Sequence, residues 1–264
     1  MRRLKKDEKE KIIILRRRGA GLLEICDRLN IKRPNKSTVY YHLRKSFGRS
    51  YKLVKINTSN LEHVGEVIGA FASDGNAVPQ TDYQIRFYFS SDERNYVYKF
   101  AKILEIVFNK KPYIYKRDNR FIVRYCSKAI YNFLLKFLKW GDKKSYSIKL
   151  IELEYNPAFL IGFLRGYFDG DGYAEKKYKV AEIITTSELM ARQLVKILSK
   201  FSINSNLYVY NDKRKNRRTC FYIKIRGENS VKFVNIIKPR NSKRIREWAR
   251  RSAWSRIPAT NLEN

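Results

Sequence analysis

FLIGFLRGYFDGDG, residues 159–172, combines an apolar helical run with two glycines four residues apart and an acidic end. A second stretch, VGEVIGAFASDG at residues 64–75, carries the same pattern. Four positions recur at one spacing of 97 residues: Gly65, Gly69, Asp74 and Gly75 correspond to Gly162, Gly166, Asp171 and Gly172. One such match is common by chance, but four at a single spacing indicate an internal duplication.

The glycine pairs predict how the two copies pack. Residues four apart on a helix share one face, and glycines there let two backbones approach closely. Each glycine costs about 1 kcal/mol of helix stability relative to alanine, which is acceptable if the two helices pack against each other about a pseudo-twofold axis. Gly75 and Gly172 follow the helices, where a left-handed glycine commonly ends a helix.

Asp74 and Asp171 should then lie at the C-termini of the motif helices, the negative ends of the helix dipoles. An acid is unfavourable there by roughly 0.3–1 kcal/mol, and two adjacent acids repel. A divalent cation would remove both problems, and carboxylate oxygens suit Mg²⁺. Two carboxylates with a metal indicate water-driven phosphodiester cleavage. The alternative, that each Asp-Gly is only a turn, is disfavoured by the matched second copy.

The chain has a formal net charge of +32 and an isoelectric point near 10.1. This excess predicts a polyanionic partner, first of all nucleic acid; a basic membrane-surface protein is the alternative. The sequence contains no run of about 18 apolar residues, the length needed to span a bilayer. No secretory segment follows the charged N-terminus, so we expect an intracellular protein without a membrane partner. Abundant Ile, Lys and Tyr with little Gln weakly indicate a thermophilic prokaryote.

Cysteine and histidine usage narrows the chemistry further. Cys26, Cys126 and Cys220 are odd in number and far apart, which is typical of reduced structural thiols and not of a disulfide framework or zinc site. The chain has two histidines, His42 and His63. Histidine-based metal chemistry is therefore disfavoured.

Residues 1–50 resemble a helix-turn-helix unit, with helices predicted over 7–18 and 22–29 and a recognition helix over 36–45. Residues 1–60 hold 18 Lys and Arg against 5 Asp and Glu, a net charge of +13 that favours DNA binding. The side chains expected near a major groove are those of Lys36, Thr38, Tyr41 and Arg44. The alternative is a three-helix bundle with a basic surface. Residues 51–60 are predicted to be a linker.

The remaining chain predicts an α+β fold of two repeats, 61–156 and 157–240, each ordered helix–strand–strand–helix–strand–strand–helix. Helices after the motif helices are expected over 92–108, 128–138, 187–201 and 229–237. Strands are expected over 84–90, 113–116, 120–125, 173–176, 178–185, 207–211 and 221–226. The basic tail, 241–264, is expected to dock a short helix through Trp248 and Trp254.

Basic and polar side chains alternate with apolar ones along these strands, so each sheet should expose one charged face. The residues expected on those faces are Gln84, Arg86, Lys116, Arg124, Lys177, Lys179, Lys224 and Arg226. Such faces are often merely solvated. Two sheets with the same bias in a chain of this charge favour a DNA-binding saddle.

VIGAFASDG (67–75) and LRGYFDGDG (164–172) resemble the two motifs of a single-chain LAGLIDADG homing endonuclease, over roughly residues 61–240. The first motif departs at Ala72, where an acid is frequent. The resemblance implies a monomeric, site-specific endonuclease that cuts both strands of double-stranded DNA and leaves short 3′ overhangs. It further implies two or three shared Mg²⁺ ions, held by Asp74 and Asp171 with the main-chain carbonyls of Ser73 and Gly170.

The same resemblance implies a basic residue beside the active site, just before the third helix of each repeat. Lys128 matches this position in the first repeat. Glu228 occupies the corresponding position in the second, so Lys224 or Arg226 must substitute. Two other functions stay open: an RNA maturase that assists splicing of its host intron, and a transcription regulator with an inactive nuclease core. The regulator ranks last because both acids are present.

Overall fold

A computed structural model describes residues 4–32, 35–48, 54–175, 179–211 and 219–249. Three helices come first: α1 (Lys6–Arg17), α2 (Leu22–Arg28) and α3 (Lys36–Phe47). They enclose a small core of their own, in which Ile12, Ile25, Val39 and Leu43 are fully buried. No helix of the described residues is long and apolar enough to cross a membrane.

The first repeat contains helices and strands in the predicted order, with a short connection to the second repeat. Its elements are α4 (Leu61–Asp74), β1 (Gly75–Val78), β2 (Gln84–Ser90), α5 (Arg94–Phe108), β3 (Tyr113–Arg117), β4 (Arg120–Cys126) and α6 (Lys128–Leu134). The connection holds β5 (Leu138–Lys139), α7 (Lys144–Ser147) and β6 (Lys149–Leu150). The helix predicted over 128–138 is therefore too long, because the chain turns after Leu134 and Leu138 pairs with Leu150.

The second repeat follows the same plan. Its elements are α8 (Pro157–Asp171), β7 (Gly172–Glu175), β8 (Val180–Thr185), α9 (Glu188–Lys200), β9 (Asn206–Tyr210), β10 (Cys220–Arg226) and α10 (Glu228–Ile237). A tail helix, α11 (Ser242–Ala249), comes last, while Trp254 lies outside the described residues. The sheets are antiparallel and equivalent, ordered β1-β2-β4-β3 and β7-β8-β10-β9. The predicted α+β fold of two repeats is confirmed.

The glycines of α4 and α8 meet backbone, as predicted. A Cβ on Gly65 or Gly69 would lie closer than 3.0 Å to the carbonyl of Phe159 or Phe163, and Gly162 and Gly166 face the opposite helix in the same way. The two motif helices therefore form the centre of the molecule. The expectation for the terminal glycines is wrong: Gly75 and Gly172 have φ of −79° and −81°. Glycine is required there because a Cβ would strike Phe71 or Phe168 one turn back.

One buried ionic cluster breaks the symmetry of this helix pair. Arg165 on α8 is 3% exposed and bonds Glu62 and Glu66 of α4. Its Nε donates to the carbonyls of Ile237 and Lys238, at 2.7 and 3.0 Å. Burial raises the pKa of Glu66, and the neighbouring Arg165 and Arg240 favour its ionised form. The cluster ties both motif helices to the end of α10.

Candidate active site and nucleic-acid interface

The close packing of α4 and α8 brings their C-terminal acids together. Asp74 Oδ2 lies 2.8 Å from where a Cβ on Gly170 would stand, so this carboxylate touches the end of the other motif helix. Burial raises the pKa of Asp74 to about 6. Burial, and then the charge of Asp74, raises the pKa of Asp171 to about 7. The two acids form one coupled pair that binds protons more tightly than carboxylates in water.

Lys144 from α7 reaches the end of α4, and nothing in the local sequence pattern predicts it. Its Nζ donates to three carbonyls at 2.8, 2.7 and 3.1 Å, those of Phe71, Ala72 and Ser73. A cation is favoured there by the helix dipole. Burial lowers the pKa of Lys144 to about 8, although the charges of Asp171 and Asp74 act in the opposite direction. Lys144 therefore supplies positive charge next to the acid pair.

Arg244 from α11 has the matching position at the end of α8. Its guanidinium donates to the carbonyl of Gly170, and its charge lowers the pKa of both Asp74 and Asp171. Arg120, at the start of β4, acts on Asp74 in the same sense. Each motif helix thus ends against a cation that comes from outside the predicted motif.

Asp169 anchors the tail that carries Arg244. This carboxylate is 1% exposed and accepts hydrogen bonds from the backbone N–H groups of Arg240 (3.0 and 3.1 Å) and Asn241 (3.0 Å). The buried Asn241 side chain donates to Glu93 of the first repeat at 2.8 Å and to the Asp169 carbonyl at 3.0 Å. The tail therefore binds both repeats, and Ala72, the counterpart of Asp169, makes no such anchor.

The two basic residues predicted beside the acids contact other side chains. Lys128 Nζ stands 5.5 Å from the centre of the Tyr83 ring. Lys224 Nζ pairs with Glu182 at 2.9 Å. The described cations whose charges act on the pKa of the acid pair are instead Lys144, Arg244 and Arg120. Catalytic roles for Lys128 and Lys224 stay predictions from the resemblance.

The donor set at the helix ends fits a hard divalent cation. Mg²⁺ is commonly bound through one or two carboxylates together with phosphate oxygens and water. Asp74 and Asp171 supply two carboxylates, and no group of three or more acidic, histidine or cysteine side chains among the described residues is arranged to hold a metal ion. The carbonyls predicted as further ligands, those of Ser73 and Gly170, accept from Lys144 and Arg244. A carbonyl has two lone pairs, so these bonds are compatible with a metal.

Clefts open on two sides of Asp74. One of about 380 Å³ runs towards the tail and is lined in part by Arg120, Lys243 and Arg244. The other, of about 700 Å³, runs towards the inter-repeat connection and is lined in part by Arg120 and Lys144. Both are open to solvent and bordered by cations, which suits a polyanion passing over the acids.

The register of the first sheet decides which side chains share its open face. Arg86 lies opposite Arg124 in neighbouring strands, and Gln84 opposite Cys126, so the predicted Gln84, Arg86 and Arg124 share that face. Gln84 is largely covered by Arg86, which donates to its Oε1 at 3.1 Å. The prediction that Lys116 lies on the open face is wrong. Lys116 pairs with the core-facing Phe121 and so lies on the opposite face of the sheet. The residues of β3 on the open face are Tyr113 and Tyr115, both stacked on Arg124, and Arg117.

In the second sheet, one basic side chain of the described open face is paired with an acid. Lys224 and Arg226 lie on its open face as predicted, because Phe221, Ile223 and Ile225 fill the core. Glu182, opposite Lys224, neutralises one of these cations. Lys179 is exposed, with φ of 50°, just before β8. Lys177 lies outside the described residues.

Two of the four residues predicted on the recognition helix differ from expectation. Lys36 and Tyr41 are exposed on α3. Thr38 is 8% exposed and therefore lies in the packed interior of the unit. Arg44 is exposed but forms a bidentate ion pair with Asp82 of the first repeat, at 3.0 and 2.9 Å. Helical periodicity alone does not distinguish such a docking residue from a DNA contact.

Residues 158–238, from α8 to the end of α10, match a family model described as a LAGLIDADG-like domain. A curated relative, the probable translation initiation factor IF-2 of Methanocaldococcus jannaschii, is 32% identical over 121 residues, 42% of this chain. The match covers about a tenth of the length of that relative, 10%.

Solved structures of two homing endonucleases are similar to most of the chain. Mesophilic variants of I-DmoI superpose with a TM-score of 0.52 and 17% identity over 68% of this chain and 97% of theirs. I-DmoI in complex with DNA and Ca gives a TM-score of 0.52, 16% identity, and 68% and 91% coverage. I-WcaI bound to its DNA recognition sequence gives 0.50, 16%, and 72% and 88%. These likenesses confirm the predicted LAGLIDADG fold.

Proposed function

We propose that this chain, which contains a LAGLIDADG-like domain within the two-repeat fold of the homing endonucleases, is a site-specific DNA endonuclease. The observation that carries the proposal is the coupled pair Asp74 and Asp171, held at adjoining helix ends between two sheets with basic faces. Because one chain supplies both acids, a single copy makes a complete site. We therefore also propose that the enzyme acts as a monomer.

Mg²⁺ would be held by the two carboxylates, with the carbonyls of Ser73 and Gly170 as further ligands and two or three ions shared between the repeats. When bound, it would activate water and stabilise charge on the phosphate. The protein would contribute position and charge: Asp74 and Asp171 would hold the cation, while Lys144 and Arg244 neutralise negative charge at the helix ends.

Double-stranded DNA fits the two sheets better than duplex RNA. The major groove of B-DNA admits a β-ribbon and presents base edges to it, whereas the major groove of A-form RNA is too deep and narrow for side chains. The arginines and tyrosines of the first sheet, such as Arg86, Arg124 and Tyr113, suit phosphate and base-edge contacts. We propose a long DNA target that both sheets contact, cut to leave short 3′ overhangs.

The test is cleavage of a genomic or randomised DNA library in Mg²⁺, followed by sequencing of the ends. We expect one recurrent long site with staggered ends. Asp74→Asn and Asp171→Asn should each abolish cleavage while the site is still bound. Asp118→Asn is the matched control, because Asp118 is exposed and has a φ of 52° that asparagine tolerates. Undiminished cleavage by both active-site variants would refute the assignment, and binding of a specific site without any nicking would favour the regulator.

A further inference from the structure

The first sheet has an inner and an outer end relative to the acids. β1 begins at Gly75, directly after Asp74, and runs to Val78, which pairs with Gln84. At about 3.3 Å per residue, Val78 lies about 10 Å farther out than Gly75. The loop 79–83, which contains Asp82, closes this outer end. The inner end, with Ser90 paired to Arg120, borders the cleft that contains Asp74.

The N-terminal unit docks at the outer end through the last turn of α3. Arg44 makes its bidentate ion pair with Asp82 in the loop 79–83. Gly48, which follows α3, has φ of 86° and lies so close to the first repeat that a Cβ would stand 3.1 Å from the Lys128 nitrogen. This docking fixes the unit beyond the sheet, on the side away from the acids.

The surface that the unit adds is strongly basic. Residues 1–50 hold 16 Lys and Arg against 5 Asp and Glu, a net charge of +11, and the exposed residues of α3 include Lys36, Tyr40, Tyr41 and Lys45. DNA that follows the first sheet outward from the acids reaches this surface next. Within the described part of the chain the unit occurs once, ahead of the first repeat, so it extends the basic surface on the side of that repeat.

We propose that the N-terminal unit makes the DNA interface asymmetric: the protein covers DNA farther from the cleavage point on the side of the first repeat, and the Arg44–Asp82 ion pair holds the unit there. Arg44 is accordingly a docking residue. This inference rests on the proposed function for its partner, double-stranded DNA, and adds which side of the site is longer and what sets it.

The test is footprinting on the selected DNA site in Ca²⁺, compared with Arg44→Glu, Asp82→Arg and the double exchange. On the side of the first repeat, the wild-type footprint should reach about 5 or more base pairs, roughly half a helical turn of DNA, farther from the cleavage point than on the side of the second repeat. Both single variants should lose that extra protection, and the double exchange should restore it. Arg192→Glu, which breaks an exposed ion pair with Glu188 on α9, is the control.

The single variants separate docking from simple charge. Asp82→Arg adds positive charge, so a purely electrostatic role would lengthen or strengthen protection, whereas loss of docking shortens it. A symmetric wild-type footprint, or extra protection that survives both single variants, would overturn the proposal. Cleavage of the same DNA in Mg²⁺ is scored separately: cleavage with a symmetric footprint refutes this inference alone, and an asymmetric footprint without cleavage refutes the nuclease alone.

Discussion

The two repeats have the same backbone plan but deliver positive charge to the acid pair by different routes. In the first, Lys144 comes from the short connection between the repeats and bonds the end of α4 directly. In the second, Arg244 comes from the tail, which Asp169 anchors. The residue types differ as well, since Ala72 stands where the second repeat has Asp169. What the duplication preserves is the charge at each helix end, and not the residue that supplies it.

The largest expected effect tests this equivalence. Lys144→Met and Arg244→Met should each slow cleavage by about 100-fold, a magnitude typical of losing one charge-stabilising donor. If each cation serves mainly one strand, each variant should convert supercoiled plasmid to nicked circles that persist before linear DNA forms. Strand-specific end labelling measures this. Equal slowing of both strands by either variant would show that the two cations act as one group.

A second prediction asks whether the helix pair is equally tight on both sides. Gly69→Ala and Gly166→Ala should each lower the free energy of unfolding by about 2 kcal/mol, because the added methyl meets backbone that must shift. Chemical denaturation of each variant measures the change. Gly141→Ala is the control, since its nearest neighbour outside the adjoining chain is the Ser147 side chain at 3.5 Å. Little change in the motif variants would contradict the close approach.

The anchor of the tail, Asp169, belongs to the second repeat and has no counterpart in the first. Removing it should loosen the tail that carries Arg244 and leave Lys144 in place. Asp169→Ala deletes the acceptor of the Arg240 and Asn241 N–H groups, at a cost of about 1–3 kcal/mol. Amide hydrogen exchange across residues 240–249 should accelerate, while exchange in α7 stays unchanged. Exchange that accelerates equally in both segments would indicate global destabilisation, and the anchor would then have no local role.

The smallest effect concerns pH. Burial raises the pKa of Asp74 to about 6 and that of Asp171 to about 7 in the folded protein, from an ordinary value of 3.8. The folded state therefore binds more protons between about pH 4 and 7, and the metal-free protein loses stability as pH rises through this range. Mg²⁺ requires the ionised acids, so it should raise the melting temperature more at pH 8 than at pH 5.5. Asp171→Asn should weaken this dependence; an equal Mg²⁺ shift at both pH values would contradict it.

Local patterns in the sequence predicted the elements well and the long-range contacts poorly. The 97-residue spacing and the strand alternation are properties of neighbouring residues, and they located the motif helices and both sheets. Lys116 was placed on the wrong face because β3 is an edge strand whose short run, YIYKR, is exposed or half-exposed throughout. Its register is fixed by its partner β4, which places Lys116 on the same face as Ile114.

The basic residues at the site were missed for a related reason. Lys144 lies in a short connection with no periodic pattern, and Arg244 reaches Gly170 across 74 positions. Their roles depend on tertiary packing that no local pattern records. Thr38 was misplaced because it lies at the edge of the buried stripe of α3, next to Val39, where one residue separates interior from surface.

The ionic cluster around Arg165 has a consequence for assembly. Arg165 corresponds to Ile68 in the first repeat, and Glu66 corresponds to Phe163 in the second. Two copies of the second motif helix would therefore bury two guanidinium groups without carboxylates, and two copies of the first would bury opposed glutamates. If the chain is divided between the repeats, we expect the two fragments to associate as a heterodimer and not to form homodimers. The glycines permit close pairing, and the cluster of Arg165 with Glu62 and Glu66 selects which helix is the partner.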